Sequence, residues 1–284
     1  MQAPAPLSPP SPVSLRAQAL SALCLTDPGR KVAATHALFE AWQAGQTVLD
    51  TTEHLAPAPG ATLPGRPEQP VLLPPVDVPQ RSPFTPPGLA MLLHAVTHIE
   101  FNAINLALDA VWRFPGMPPD FYTDWLRVAH EEAIHFSLLQ SHLQSLGHHY
   151  GEFAAHGSLW EMCVRTQGDV TARMALVPRT LEARGLDATP PMQARLRKVG
   201  TPPALRAVEI LDVILRDEIG HVAVGNRWYG WLCAQQGIEP LGHYRRLARE
   251  HSAPRLKPPF NDAARLAAGF SEAELTELQL GEHR

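Results

Sequence analysis

Ala129-His130-Glu131-Glu132-Ala133-Ile134-His135 and the later Asp217-Glu218-Ile219-Gly220-His221 are the two stretches that decide the fold of this chain. Each contains a glutamate followed three residues later by a histidine, Glu132 with His135 and Glu218 with His221. On an α-helix, this spacing places both side chains on one face, about one turn apart. A carboxylate and an imidazole placed in this way can bind one metal ion together.

Both glutamates lie on apolar helical faces. Their neighbours at three, four and seven positions are mostly apolar: Trp125, Val128, Ala129, Phe136 and Leu139 around Glu132, and Leu211, Ile214, Leu215, Val222 and Gly225 around Glu218. A carboxylate removed from water is costly unless it is paired or binds a cation. Two such carboxylates, each beside a histidine, predict a buried cation. The alternative is two exposed or ion-paired glutamates beside two histidines of the core.

Composition indicates a globular chain without a general preference for anionic partners. It has 284 residues, 45% of them hydrophobic, which is enough for one large domain with extensions. The net charge of -4 gives no electrostatic case for nucleic acid or an anionic membrane. Cys24, Cys163 and Cys233 are scattered, which favours reduced thiols. Without an export signal or a long apolar run, we expect a cytoplasmic protein that does not enter a membrane.

Four segments are expected along the chain. They are residues 1–12, a flexible N-terminus; residues 13–85, N-terminal helices and a Pro-rich strap; residues 86–235, a four-helix bundle; and residues 236–284, a C-terminal extension packed on the bundle. Asp27-Pro28-Gly29 splits the first helical stretch in two. The strap begins near Pro57 and holds too many prolines for a helix or a central strand. A last short helix is expected from Glu272 to Leu278.

Start and stop signals bound the four long helices. Thr85-Pro86-Pro87 and Thr201-Pro202-Pro203 each combine a capping threonine with prolines in the first turn. Gly147 and Gly185 are the expected ends of the second and third helices. The predicted bounds are 86–113, 120–147, 158–184 and 202–235. A short helical piece is also expected at 192–198, within the connection before the fourth helix.

The first long helix adds a third carboxylate in an apolar stripe, Glu100. Glu100 and Glu132 lie at similar distances from the loop that joins the first two helices, so in an antiparallel hairpin they meet at one level. Glu131 is the rival of Glu132 as a ligand. Its own face carries Asp124 and Arg127 and is more polar, which favours Glu132.

The third helix leaves its ligand open, because Glu161, Asp169 and Glu182 compete and periodicity does not separate them. Pro178 is expected to kink this helix or to open a wider turn four residues before Glu182, which can re-aim that side chain. Polar residues that flank the last motif are candidates to support its ligands: Arg216, Asp217, Asn226 and Arg227.

The order of these residues matches a known ligand pattern. Along the chain it reads single Glu, Glu-x-x-His, single Glu, Glu-x-x-His, and ferritin-like di-iron and di-manganese carboxylate bundles use this set. We therefore predict an all-α, ferritin-like four-helix bundle that holds two ions about 3.5 to 4 Å apart. Carboxylates and imidazoles without thiolates favour iron, with manganese as the second choice.

Several motifs outside the metal residues carry a family resemblance. They are Pro64-Gly65-Arg66-Pro67, Leu181-Glu182-Ala183-Arg184-Gly185-Leu186-Asp187, Pro258-Pro259-Phe260-Asn261 and Ala268-Gly269-Phe270. From near Leu15 onward, the chain resembles bacterial ferritin-like di-metal carboxylate proteins of unassigned function, which are distantly similar to the tRNA hydroxylase acting on modified adenosine. The resemblance implies a dinuclear site with Glu182 as the ligand from the third helix. It implies no substrate.

The expected metal ligands are Glu100, Glu132, His135, Glu182, Glu218 and His221. With two iron or manganese ions, we expect a metal-dependent oxidoreductase that uses dioxygen, such as a hydroxylase. Its expected partners are a small-molecule or modified-nucleoside substrate and an electron-donor protein, with a homodimer as a candidate assembly. The alternatives are iron oxidation or storage without an organic substrate, and a purely structural metal. The long segments before and after the bundle exceed what a storage cage needs, which favours the enzyme.

Overall fold

The computed structural model describes residues 13–79 and 82–281, and within these ranges the chain is helical and has no β-strand. The all-α prediction is confirmed, whereas the flexible segment predicted at 1–12 lies outside the described residues. No helix in the described part is both long and apolar enough to cross a bilayer. The helices are α1 (Leu15–Leu23), α2 (Pro28–Gln43), α3 (Pro86–Arg113), α4 (Pro119–Ser145), α5 (Ser158–Arg165), α6 (Val170–Leu176), a π-helix (Val177–Glu182), α7 (Ala183–Val199), α8 (Pro202–Gln236), α9 (Pro240–Glu250), α10 (Asp262–Ala267) and α11 (Glu272–Leu280).

α3 and α4 form the predicted hairpin, and both agree with the sequence signals at their ends. Thr85 caps α3, where its hydroxyl accepts a hydrogen bond from Gly88 N at 3.2 Å. The chain reverses at Gly116, whose φ of 78° lies in the left-handed region. Tyr122 OH then donates to Phe114 O at 2.7 Å and ties the turn to α4. The hairpin places the middle of α3 beside the middle of α4.

The single third helix predicted at 158–184 is wrong. The chain breaks between α5 and α6, where the Asp169 carboxylate caps α6 by accepting from Thr171 N at 2.8 Å. α6 then passes into the π-helix at Pro178, in agreement with the wider turn that this proline predicts. Proline lacks the N–H that an α-helical turn needs, and the wider π-turn accommodates it.

α7 overturns two further predictions. Gly185 does not end a helix, and 192–198 is not a separate piece, because α7 continues from residue 183 to residue 199 through two prolines. Leu186 and Leu196 are both fully buried, and this packing outweighs the local helix-breaking signals. The helix ends at Gly200, where φ is 68°.

The C-terminal extension contains two helices that sequence analysis does not predict, α9 and α10, besides the expected α11. The start of α9 carries a readable signal, since Glu239 caps it and a proline follows. The extension is attached to the bundle by buried ion pairs. Arg265 of α10 contacts Asp187 of α7 at 2.6 Å, and Arg179 of the π-helix pairs with Glu274 of α11.

The Pro-rich strap lies against the N-terminal helices, in the irregular conformation that its prolines predict. Gly65 N donates to Leu23 O at 2.9 Å, and the buried Lys31 ammonium donates to Gly65 O at 2.6 Å. Lys31 also donates to the Asn105 side chain of α3. A side chain at position 65 would not fit, because its Cβ would lie 2.2 Å from Cys24 O.

The core contains two large apolar clusters stacked along α3, α4 and α8. Representative members are Phe101, Phe136 and Trp228 in one cluster, and Leu93, Leu139 and Ile214 in the other. On each of the three helices, a buried glutamate lies near the point where one cluster gives way to the other: Glu100, Glu132 and Glu218. This junction is the polar layer of the molecule.

Candidate metal centre

Four of the six predicted ligands meet at this junction. Glu100 of α3, Glu132 and His135 of α4, and Glu218 of α8 each offer a ligand atom, and these atoms all lie within 4.8 Å of one another. All four side chains are buried, and Glu132 and His135 are 0% exposed. The apolar stripes around the two Glu-x-x-His motifs turn both motifs inward, as their spacing predicts.

Glu132 occupies the middle of the cluster. Its Oε2 lies 3.2 Å from His135 Nδ1, and its Oε1 lies 2.9 Å from His221 Nδ1. Glu100 Oε2 approaches the same His135 nitrogen at 3.3 Å, and Glu218 Oε1 lies 3.9 Å from His221 Nδ1. The two oxygens of Glu132 therefore contact different imidazoles, one from each Glu-x-x-His motif.

The outer nitrogen of each imidazole is held by an acidic side chain. His135 Nε2 donates to Asp217 Oδ2 at 3.1 Å, and His221 Nε2 donates to Glu131 Oε2 at 2.7 Å. Hydrogen bonds of this kind set the ring orientation and make the opposite nitrogen a better ligand. Both Nδ1 atoms are therefore directed at the glutamates.

These two acidic residues are the part of the site that sequence reasoning resolves least well. Glu131 is the rival of Glu132 on sequence grounds, yet the structure places it behind His221 and outside the cluster. Asp217 is one of four flanking candidates, and its adjacency to Glu218 is the only sequence signal for it. Of the other three, Arg216 contacts Asp217 at 2.8 Å, whereas Asn226 accepts from Arg179 at 2.8 Å.

Glu182 is the last residue of the π-helix, and its Oε2 is buried without a hydrogen-bond partner. Burial raises its pKa well above the usual value, and the carboxylates of Glu218, Glu132 and Glu100 raise it further. Glu182 therefore experiences the charge of these glutamates, although it is not among the four residues whose ligand atoms lie within 4.8 Å of one another.

The rivals of Glu182 lie elsewhere. Glu161 is on α5, where its side chain is 63% exposed. Asp169 is committed to capping α6, where it accepts from two backbone N–H groups. Of the three candidates that periodicity leaves open, Glu182 is the one with a buried carboxylate oxygen that lacks a hydrogen-bond partner among the described residues.

A close backbone approach fixes the π-helix beside α8. A Cβ added at Gly225 would lie 2.6 Å from Pro178 Cβ, so only glycine permits this contact. The approach brings the end of the π-helix, and with it Glu182, over the part of α8 that carries Glu218 and His221. Here the tertiary contact, rather than helical periodicity, aims the side chain.

The electrostatics of the cluster are those of crowded carboxylates compensated by imidazolium groups. Burial raises the pKa of Glu100 and of Glu218, and the neighbouring Glu132 raises both further. Burial alone would also raise the pKa of Glu132, but His221 and His135 outweigh it and lower that pKa. Burial would lower the pKa of His135, but its close contacts with the carboxylates of Glu100 and Glu132 raise it to about 11. Protons bound to the histidines thus balance negative charge of the glutamates in the metal-free protein.

The donor atoms fit a bound metal. Five buried atoms of the cluster lack a hydrogen-bond partner within the described part of the chain: Glu100 Oε2, Glu132 Oε1, Glu182 Oε2, Glu218 Oε2 and His221 Nδ1. Buried polar atoms without partners are rare and costly. Carboxylate oxygens and imidazole nitrogens are ligands that iron and manganese accept. The buried Glu/His cluster could therefore hold a metal ion.

Comparison with known proteins places these residues within a family. The family described as "Protein of unknown function (DUF455)" matches residues 24–276. The chain belongs to this family. It is also similar to an uncharacterized protein of Haemophilus influenzae, with 50% identity over 216 residues that cover 74% of each chain. No solved structure gives a significant match. The DUF455 region includes all six candidate ligands as well as Glu131 and Asp217.

Proposed function

We propose that this DUF455 protein is a ferritin-like di-metal carboxylate protein that binds two iron or manganese ions and uses dioxygen to oxidise an organic substrate. One observation carries the proposal. Ligand atoms of Glu100, Glu132, His135 and Glu218 lie within 4.8 Å of one another in the core, and His221 Nδ1 lies 2.9 Å from Glu132 Oε1. Glu182 adds a buried carboxylate oxygen without a hydrogen-bond partner among the described residues. This is the ligand set of the ferritin-like di-metal bundles, in the same order along the chain.

Charge and ligand number favour two ions over one. Four glutamates contribute four negative charges, and one divalent ion would leave two of them buried without compensation. Two divalent ions balance all four, and the two imidazoles are then neutral ligands. The position of Glu132 also supports two ions. One of its oxygens lies near His135 and the other near His221, so each histidine and the nearer oxygen could hold one ion.

The chain contributes placement and water exclusion. When bound, the two ions would supply the electrons and the Lewis acidity for the reduction of dioxygen. Asp217 and Glu131 hold the imidazoles in orientation, and the apolar clusters on either side limit the access of water. The π-helix ends at Glu182, and π-turns of this kind are frequent at functional sites.

The proposal also includes an organic substrate and a source of electrons. A modified nucleoside is the first organic substrate to examine, because of the resemblance to the tRNA hydroxylase. Turnover would also need electrons from a donor protein. The segments packed around the bundle, from α1 to the strap and from α9 to α11, favour an enzyme over a storage protein, since storage requires no such enclosure.

The proposal is tested by loading the anaerobically purified protein with ferrous or manganous ions and measuring bound metal and oxygen uptake with a reductant. We expect two ions per chain and an oxygen-dependent change in the optical spectrum. Glu218→Ala should lose metal and oxygen uptake, whereas the matched control Glu209→Ala, at an exposed position of the same helix, should retain both. A loaded protein that is inert to oxygen would overturn the enzyme, and oxidation of many ferrous ions per chain would replace it with iron storage.

A further inference from the structure

A second site lies away from the metal centre, in a cavity of about 220 Å³ between the Pro-rich strap, α3 and the start of α5. None of the six candidate metal ligands lines it. Its walls come from the strap and from α3, α5 and the loop before α5; the lining residues that matter here are Arg66, Asn102, Tyr150 and Trp160. The volume is in the range of a small organic molecule rather than a single water.

The wall formed by the strap is fastened on both sides of the cavity. On one side, Gly65 is held by Leu23 and Lys31, as described above. On the other side, Leu73 N donates to Ala155 O at 2.8 Å, and Ala155 N donates to Val71 O at 3.0 Å. The cavity is therefore formed in advance of any ligand, which lowers the ordering cost of binding.

A polar group of His98, Asn102 and Tyr150 lines part of the cavity. His98 Nε2 lies 3.1 Å from His156 O, and His98 Nδ1 lies 2.9 Å from Tyr150 OH. Asn102 Nδ2 donates to His98 O at 2.8 Å and lies 3.0 Å from His98 Nε2. These contacts use the amide nitrogen of Asn102, which leaves its Oδ1 available as an acceptor. An acceptor in this position calls for a ligand with an N–H or O–H group.

Much of the cavity lining is apolar and aromatic. Phe101 and Tyr150 lie with their ring centroids 5.4 Å apart, and Trp160 completes the aromatic lining opposite the prolines of the strap. Rings favour offset-stacked or edge-to-face contacts with other rings. This lining is suited to a planar aromatic group.

The cavity lining also includes a positively charged side chain, Arg66. Arg66 is exposed and has no ion-pair partner among the described residues. Glu161 also lines the cavity, but its carboxylate lies within 4.0 Å of Arg165, which offsets its charge. A guanidinium at the mouth of an aromatic cavity favours an anionic group on the ligand.

We propose that this cavity binds a planar aromatic compound that has an N–H or O–H donor at one end and an anionic group at the other. The donor binds Asn102 Oδ1, the ring lies among Phe101, Tyr150 and Trp160, and the anionic group binds Arg66. The site does not depend on the proposed metal chemistry, since it shares no ligand residue with the metal centre.

The test measures the binding of three compounds to the full chain by titration calorimetry. They are para-hydroxyphenylacetate, which has both end groups, phenylacetate, which lacks the donor, and the neutral para-hydroxyphenylethanol. We expect phenylacetate to bind about five- to tenfold more weakly than para-hydroxyphenylacetate, because the buried acceptor loses its partner. The neutral alcohol should bind about two- to fivefold more weakly, because Arg66 is exposed to solvent.

Two variants assign each preference to its residue. Asn102→Leu should bind para-hydroxyphenylacetate and phenylacetate equally well but still prefer the acid to the neutral alcohol. Arg66→Gln should bind the acid and the alcohol equally well but still prefer the compound with the hydroxyl group. Arg206→Gln, at an exposed position of α8 outside the cavity lining, should change neither. Absence of saturable binding at millimolar concentrations, or equal affinities for the three compounds, would overturn the proposal. The comparison of the three compounds on the unmodified protein stands even if a variant does not fold.

Discussion

Glu132 Oε1 lies 2.9 Å from His221 Nδ1, and Glu132 Oε2 lies 3.2 Å from His135 Nδ1. One buried carboxylate thus contacts the histidines of both Glu-x-x-His motifs, and Glu100 Oε2 approaches the same His135 nitrogen at 3.3 Å. The predictions below follow from this arrangement and from the elements that hold it.

Glu132→Ala should remove at least one metal ion per chain and abolish oxygen uptake, because the carboxylate that lies between both imidazoles is lost. The helices should persist, since apolar packing stabilises them independently of the site. Metal analysis, oxygen uptake and circular dichroism measure the three expectations. Retention of both ions by a folded variant would contradict the position assigned to Glu132.

Glu182→Ala should lower the metal content, whereas Glu161→Ala should leave it unchanged. The first residue ends the π-helix beside the cluster, and the second is largely exposed on α5. Metal analysis of the two variants, prepared side by side, distinguishes them. The reverse result would assign the third-helix ligand to α5 and would remove the role given to the π-helix.

Asp217→Asn and Glu131→Gln should weaken metal binding by about ten- to a hundredfold without abolishing it, because each supports an imidazole rather than an ion. Competition with a chelator measures the affinities. Asp212→Asn, an exposed change on the same helix as Asp217, is the matched control. A complete loss of metal in Glu131→Gln would instead make Glu131 a ligand.

Gly225→Ala should destabilise the fold and lower the metal content, because its Cβ would lie 2.6 Å from Pro178 Cβ and would displace the π-helix. Overpacking of this kind costs about 1–3 kcal/mol of unfolding free energy. Gly230→Ala is the control on the same helix, where a Cβ meets nothing within 4 Å. The control should gain about 0.5–1 kcal/mol from helix propensity. Urea unfolding of both variants gives the comparison.

The stability of the metal-free protein should fall as the pH rises above about 6.5. Contacts with Glu100 and Glu132 raise the pKa of His135 from 6.5 in the unfolded chain to about 11 in the folded protein. A group whose pKa is raised on folding stabilises fully below its unfolded value and loses this contribution as the pH rises through the folded value. The raised pKa values of Glu100 and Glu218 act in the same direction, starting from 4.5.

Metal loading should remove this pH dependence, because the ions replace the protons at the ligands. Urea unfolding of the loaded and metal-free proteins between pH 6.5 and pH 9 measures the difference. The lowered pKa of Glu132 acts below its ordinary value of 4.5 and does not enter this range. An equal slope with and without metal would contradict the assignment of these protons to the site.

Most of the candidate site could be predicted because its signals are local. The spacing of Glu132 with His135 and of Glu218 with His221, together with their apolar neighbours, places both pairs on buried helical faces. The resemblance motifs meet in the structure, since Asn261 N donates to Asp187 Oδ1 at 2.9 Å. This contact attaches the C-terminal extension to the chain just after Glu182.

The parts that could not be predicted depend on contacts between distant residues. The route of α7 past Gly185 follows from the burial of Leu186 against α8, which local propensity does not contain. The contact of Glu131 with His221 depends on how α4 packs against α8. Neither of these two contacts can be inferred from the residues that are adjacent in the sequence.

The sequence by itself determined the helical class, the bounds of α3 and α8, the inward direction of the two Glu-x-x-His motifs and the wider turn at Pro178, because helical periodicity, capping and proline geometry act within a few residues. Only the tertiary structure decided the break of the third helix, the support of each imidazole by Asp217 or Glu131, and the cavity beneath the strap. Those features require segments far apart in the chain to come together, and their geometry exists only once the core has packed.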